Sequence, residues 1–118
     1  MDTKSEDRIQ QEIFIHFNNK YCLPGQKDRG IIFHVPNQRI KATERMKLAA
    51  IGVLSGVSDL VIIFRGKTVY IEVKTLIGTQ SKEQKEFCTR VQENGHSYWL
   101  VRSFTDFEKV MAVEWDIK

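Results

Sequence analysis

No stretch of this chain is apolar over the roughly 18 residues that a membrane-spanning helix needs, so no contact with a membrane is expected. Cysteine is scarce. Cys22 and Cys88 stand far apart and form no CxxC pair, which argues against a zinc ribbon and fits two free thiols in a reducing compartment. The first residues, MDTKSEDRIQQE, are too densely charged for a signal peptide, and the expected location is cytoplasmic. His16, His34 and His96 show neither HExxH nor Cys/His ligand spacing, so all three read as structural or solvated. Repeats, low-complexity tracts and linkers are missing. So is any aromatic motif of the kind that reads single-stranded RNA. The 118 residues suit one domain, 1–118, whose core needs neither disulfides nor a structural metal.

The chain also lacks a strong overall charge, at net +3, but its distribution is uneven. Between Lys20 and Lys47 lie Lys20, Lys27, Arg29, Arg39, Lys41, Arg45 and Lys47, opposed only by Asp28 and Glu44, which leaves that stretch at +5. Such a stretch is either a phosphate-binding surface or a solvated basic face. Arg39, Lys41 and Lys47 are its candidate DNA contacts.

Periodicity gives the elements. Ile9, Ile13 and Phe17 recur every four residues, predicting a helix over about 4–20. Pro24 and Gly25 break it, and the β-branched run IIFHV predicts a strand ending at Pro36. A short helix is expected from Thr43, as cap, to near Gly52. DLVIIF and TVYIEVK are strands joined at Arg65, Gly66 and Lys67. Ser81 and Gln84 fit a capping box opening a helix that stops at Gly95. SYWLV is a further strand, and Ser103 or Thr105 begins a last helix. The order α, β, α, β, β, α, β, α predicts an α/β fold with a mixed sheet flanked by helices.

Three charged residues interrupt the most apolar part of this pattern. Side chains alternate along a strand, so Val69, Ile71 and Val73 share one face while Tyr70, Glu72 and Lys74 share the other. With Arg65 and Gly66 as turn residues, Phe64 lies opposite Lys67 and Asp59 opposite Glu72. A one-residue change in the turn would place Asp59 opposite Val73 instead. Two facing carboxylates repel unless something neutralises them, and oxygen ligands of this kind suit Mg²⁺ or Mn²⁺. Lys74 would then hold an attacking water or stabilise developing negative charge. The competing reading is a surface hairpin with an ordinary salt bridge. Glu12 lies beside the apolar stripe of the first helix, either solvated or reaching the same cluster. Gln84 sits on the apolar face of its helix, where the capping box and a role at the site compete.

The segment GVSDLVII…VYIEVKT…GTQSKEQKEFCTRVQENGHSYWLVRS resembles the VRR-NUC branch of the PD-(D/E)XK nucleases. The match runs in order through Glu12, Pro36 and Asn37, Gly56 and Asp59, Glu72 and Lys74, Gly78, Ser81 and Gln84, and Val101 and Arg102. Ser58 stands where a proline is usual, and Ser103 replaces the second arginine of V-R-R. The resemblance implies a restriction-endonuclease-like sheet. It implies divalent-metal binding by Asp59, Glu72 and the backbone of Val73, with Glu12 in support. Lys74 would be the catalytic lysine, and Gln84 would assist the site. Arg102 joins the candidate DNA contacts. Standalone members are similar to phage and bacterial Holliday junction resolvases. The expected activity is therefore Mg²⁺- or Mn²⁺-dependent cleavage of branched or flapped duplex DNA by a homodimer. A DNA-binding module without catalysis and an RNA endonuclease are the alternatives.

Overall fold

The computed structural model describes residues 5–36 and 42–118, with the side chains of 42 and 43 left aside. Asn37, Arg39 and Lys41 therefore lie outside the described residues, as does the side chain of Thr43. The elements follow the expected order: α1 (Glu6–Tyr21), β1 (Ile31–His34), α2 (Ala42–Ala50), β2 (Leu60–Phe64), β3 (Lys67–Val73), α3 (Lys82–Glu93), β4 (Ser97–Val101) and α4 (Phe104–Trp115). The helix ends are set by short polar side chains. Ser5 Oγ accepts the Arg8 N–H, the Ser81–Gln84 capping box is closed from both sides, and Ser103 Oγ accepts the Asp106 N–H. The last of these decides between Ser103 and Thr105 as the start of α4. Several boundaries differ from expectation by a residue or two: β3 takes in Lys67, expected in the turn, and ends at Val73, β2 begins after Asp59, and α2 includes Ala42, ahead of the cap assigned to Thr43.

The sheet has the order β1-β2-β3-β4. β1, β2 and β3 form an antiparallel meander, and β4 returns parallel to β3 after the α3 crossover. One face of β2 and β3 (Leu60, Ile62, Phe64, Val69, Ile71 and Val73) packs against Ile9, Ile13 and Phe17 of α1 and against Phe107, Val110, Met111 and Trp115 of α4. At these positions the apolar period of the helices meets the period of two of the strands. Aromatic rings close this core. Phe17 lies 5.5 Å from Phe64 and 5.4 Å from Trp115, whose indole N–H donates to the Phe64 carbonyl at 3.1 Å. On the opposite face α3 covers β3 and β4, with the Phe87 ring against Tyr70 and Tyr98. Among the described residues no helix is long and apolar enough to cross a membrane.

The hairpin register is the one expected. Phe64 pairs with Lys67 and Leu60 with Ile71, and one further step along the same ladder sets Asp59 beside Glu72. Arg65 takes the left-handed conformation at φ 50° and Gly66 at φ 77°, the pair of positive φ values a type I′ turn requires.

Candidate functional site

The site forms where this hairpin runs out at the end of the sheet away from its turn. Glu72 is 1% exposed, among the most enclosed side chains of the protein. The alternation of β3 turns it toward the α3 side, while Val69, Ile71 and Val73 fill the core. Neither Glu72 carboxylate oxygen has a hydrogen-bond partner among the described residues. Its nearest cation is Lys74, with Nζ 3.7 Å from Oε2. Asp59 closes the group, its Oδ2 accepting the Val73 N–H at 2.7 Å. That bond ties the start of β2 to the end of β3 just past the last paired residues. The Asp59 carbonyl is held in turn by the Val35 N–H at 3.0 Å and faces His34 Nδ1 at 2.7 Å.

A carboxyl group in this setting resists ionisation. Burial, with the Asp59 charge second and Lys74 opposing both, pushes Glu72 from its ordinary 4.5 up to about 8. Tyr98, on the same face of neighbouring β4, is raised above its usual value by burial and then by Glu72; its hydroxyl takes a hydrogen bond from Gln80 Nε2 at 3.0 Å. An unpartnered buried carboxylate beside a second one is expensive in a metal-free protein. The donor set fits a hard divalent cation, since both Glu72 oxygens lack a donor and Asp59 adds a further hard oxygen ligand.

The other expected site residues fall in different places. Glu12 lines a groove with Arg8, Gln11, Ile15, His16 and Phe104. Among the described residues no three His, Cys, Asp or Glu side chains form a metal-holding group, so Glu12 does not complete a three-acid cluster with Asp59 and Glu72. Gln84 Oε1 is committed to the Ser81 N–H at 2.8 Å, so the capping role is realised. Gln84 also lines a groove of about 770 Å³ with Val35, Arg45, Gly56 and Val57. That groove adjoins the segment leading into Asp59, although Asp59, Glu72 and Lys74 do not line it. Arg102 turns inward: Nη1 donates to the carbonyls of Thr75 at 2.6 Å and Gly78 at 2.7 Å. This is a structural engagement, and it does not support the expected DNA contact.

The basic stretch is not one surface. Lys20, Lys27 and Arg29 precede β1, whose first residue pairs with Ile63 near the hairpin turn, whereas the last residue of β1 pairs with Leu60 beside Asp59. The first three cations therefore lie at the end of the sheet remote from the acids. Arg45 and Lys47 belong to α2, which follows β1, and Arg45 lines the groove beside the site. Lys82 and Lys85, exposed in the first turns of α3, were passed over in the sequence because they lie outside the stretch with the excess charge. A charge sum along the chain carries no information about which end of a strand a residue occupies.

Gly56 shows how closely α3 is fitted to this region. It has φ +82°, and a Cβ there would run into the Glu83 carbonyl and lie 2.8 Å from Gln84 N. Gly56→Ala is expected to destabilise the protein by roughly 2 kcal/mol or more, from left-handed strain and overpacking together. Gly66, at φ +77° with open space around it, bears only the backbone part, so Gly66→Ala should cost about 1 kcal/mol. Urea titration of the two variants measures the difference; equal losses would mean that Gly56 does not pack against α3.

Taken as a whole, the chain has the α/β architecture of a VRR_NUC domain. A solved structure titled "VRR_NUC domain protein" superposes with a TM-score of 0.74 at 19% identity, covering 98% of this chain and 92% of that one. A second, titled "VRR_NUC domain", gives a TM-score of 0.64 at 19% identity, covering 95% and 99%. No family model matches the sequence, and no curated protein does.

Proposed function

We propose that this protein is a nuclease that hydrolyses phosphodiester bonds with Mg²⁺ or Mn²⁺ and acts on branched or flapped duplex DNA. The observation that carries the reading is the buried Glu72 carboxylate, without a hydrogen-bond donor, between Asp59 and Lys74. The resemblance to the PD-(D/E)XK pattern and the shared fold with VRR_NUC domain structures support it. Asp59 and Glu72, with the Val73 carbonyl, would hold the cation; any part played by Glu12 is through water. A divalent ion supplies a Lewis acid and an activated water. Lys74, held against Glu72, orients the attacking water or offsets the negative charge that develops on the phosphate.

The DNA phosphates would be met by exposed cations of α2 and α3, Arg45, Lys47, Lys82 and Lys85, of which Arg45 lines the groove beside the segment leading into Asp59. The similar structures are named for a domain and not for a substrate, so branched DNA rests on the resolvase-like resemblance. Two strands need two cuts, and a C₂ pair of subunits matches the two-fold symmetry of a four-way junction. The test is a panel of linear duplex, flap, four-way junction, single strand and RNA, with Mg²⁺, Mn²⁺ or chelator, alongside sedimentation of the free protein. Metal-dependent cutting of flap or junction by a dimer is the expected result. Cleavage of RNA alone would replace the substrate. Binding of DNA without cleavage under any metal would leave a DNA-binding module.

A further inference from the structure

The loop that leaves β3 has an unusual means of support. It begins directly after Lys74 and carries Leu76, 60% exposed, and Ile77, 91% exposed. A loop whose two apolar side chains point into solvent has no packing of its own to fix its course. It is held by its backbone. Gly78 N donates to the Thr75 carbonyl at 3.2 Å. Arg102 Nη1 donates to the carbonyls of Thr75, Gly78 and, at 3.3 Å, Leu76. Arg102 is itself anchored. Its N–H donates to Asp106 Oδ2 at 2.9 Å, and the residue before it, Val101, accepts the Lys74 N–H at 3.0 Å. A Cβ placed on Gly78 would sit 3.5 Å from Lys74 Cδ, so the moored loop lies against the alkyl stem of that lysine.

We infer that Arg102 is a positioning residue: by gathering three loop carbonyls it holds the 75–78 segment against Lys74 and so keeps the ammonium beside Glu72. A charged donor shared among several carbonyls is stronger than neutral turn bonds. Lysine keeps the charge but ends in a compact, strongly hydrated ammonium on a flexible stem. The inference rests on the nuclease reading for its catalytic consequence, but the mooring itself is measurable without catalysis.

The experiment compares wild type with Arg102→Gln and Arg102→Lys. Cleavage is followed under Mn²⁺. The Lys74 amine is followed by NMR after reductive ¹³C-methylation, assigned with Lys74→Ala. Amide exchange is followed at residues 75–78. For Arg102→Gln the expected result is a fall in kcat of about 100-fold with KM little changed, the scale of a reacting group displaced by an ångström. The Lys74 methyl resonance should move and the loop amides should exchange faster, while the amides of β3 keep their protection. Arg102→Lys, the milder variant should glutamine unfold the chain, is expected to lie between the two. An unmoved Lys74 resonance in both variants, or wild-type kcat in Arg102→Gln, overturns the inference. If wild type itself cuts nothing, the nuclease reading fails, and the resonance and exchange data still decide whether Arg102 positions Lys74.

Discussion

Lys74→Ala is expected to lower the rate of strand cleavage by at least about 10²- to 10³-fold, the usual cost of removing a preorganised charge from a site where charge develops. The fold should survive, because the chain is held at this point by a backbone bond from Lys74 N–H to Val101. DNA affinity should change little, since on the proposed reading most of the phosphate contact would come from the exposed cations of α2 and α3. A second effect has to be separated from the first. Lys74 is the group that lowers the proton affinity of Glu72, so its loss makes Glu72 harder to ionise and weakens metal binding near neutral pH. Single-turnover cleavage at saturating Mn²⁺ and alkaline pH removes that contribution. A folded Lys74→Ala protein that still cuts at the wild-type rate under those conditions would end the assignment of Lys74.

The hairpin is where sequence and structure agree most closely, and the reason is local. Alternation over seven residues fixes which side of β3 Glu72 faces, and a two-residue turn fixes the register that brings Asp59 to it. Both are set within about twenty residues of chain, as is the Ser81–Gln84 capping box. What was not legible depends on long-range pairing. Arg102 reads as a DNA contact in the sequence because nothing in SYWLVRS states that β4 runs parallel to β3. Only that pairing, Val73 with Val101, delivers the arginine to the loop after Lys74. Ser58, which stands where a proline is usual, is fully buried and its hydroxyl donates to the Leu60 carbonyl. Ser103 stands in place of the second arginine of V-R-R, and it caps α4. Glu12 reads in the sequence either as a solvated acid or as a member of the cluster, from its place beside the apolar stripe and in the motif order. Its helix sets it in a groove with His16 and Phe104.

The second large effect concerns stability and pH. In the folded, metal-free protein Glu72 holds its proton up to about pH 8, against an ordinary value of 4.5. Between those values the folded chain binds a proton that the unfolded chain has released. Stability from this group is therefore full below pH 4.5 and is lost as pH rises to about 8. The slope is at most about 1.4 kcal/mol per pH unit. Glu72→Gln removes the titration and keeps the shape, so the metal-free variant should be more stable than wild type at pH 8 to 9. Its stability curve should be flatter below that range. Asp59→Asn removes the second cause of the raised value and should move the same loss to lower pH. Divalent ions reverse the order. Binding requires the deprotonated carboxylate and releases its proton, so wild-type Mn²⁺ affinity should rise with pH until Glu72 is ionised, while Glu72→Gln binds weakly throughout. Urea titrations across pH with chelator, paired with calorimetric Mn²⁺ titrations, measure both halves. Superimposable pH–stability curves for wild type and Glu72→Gln would show that this carboxyl carries no buried charge to relieve. Equal Mn²⁺ affinities would remove Glu72 from the metal site, because no other described side chain places two unpartnered buried oxygens beside Asp59.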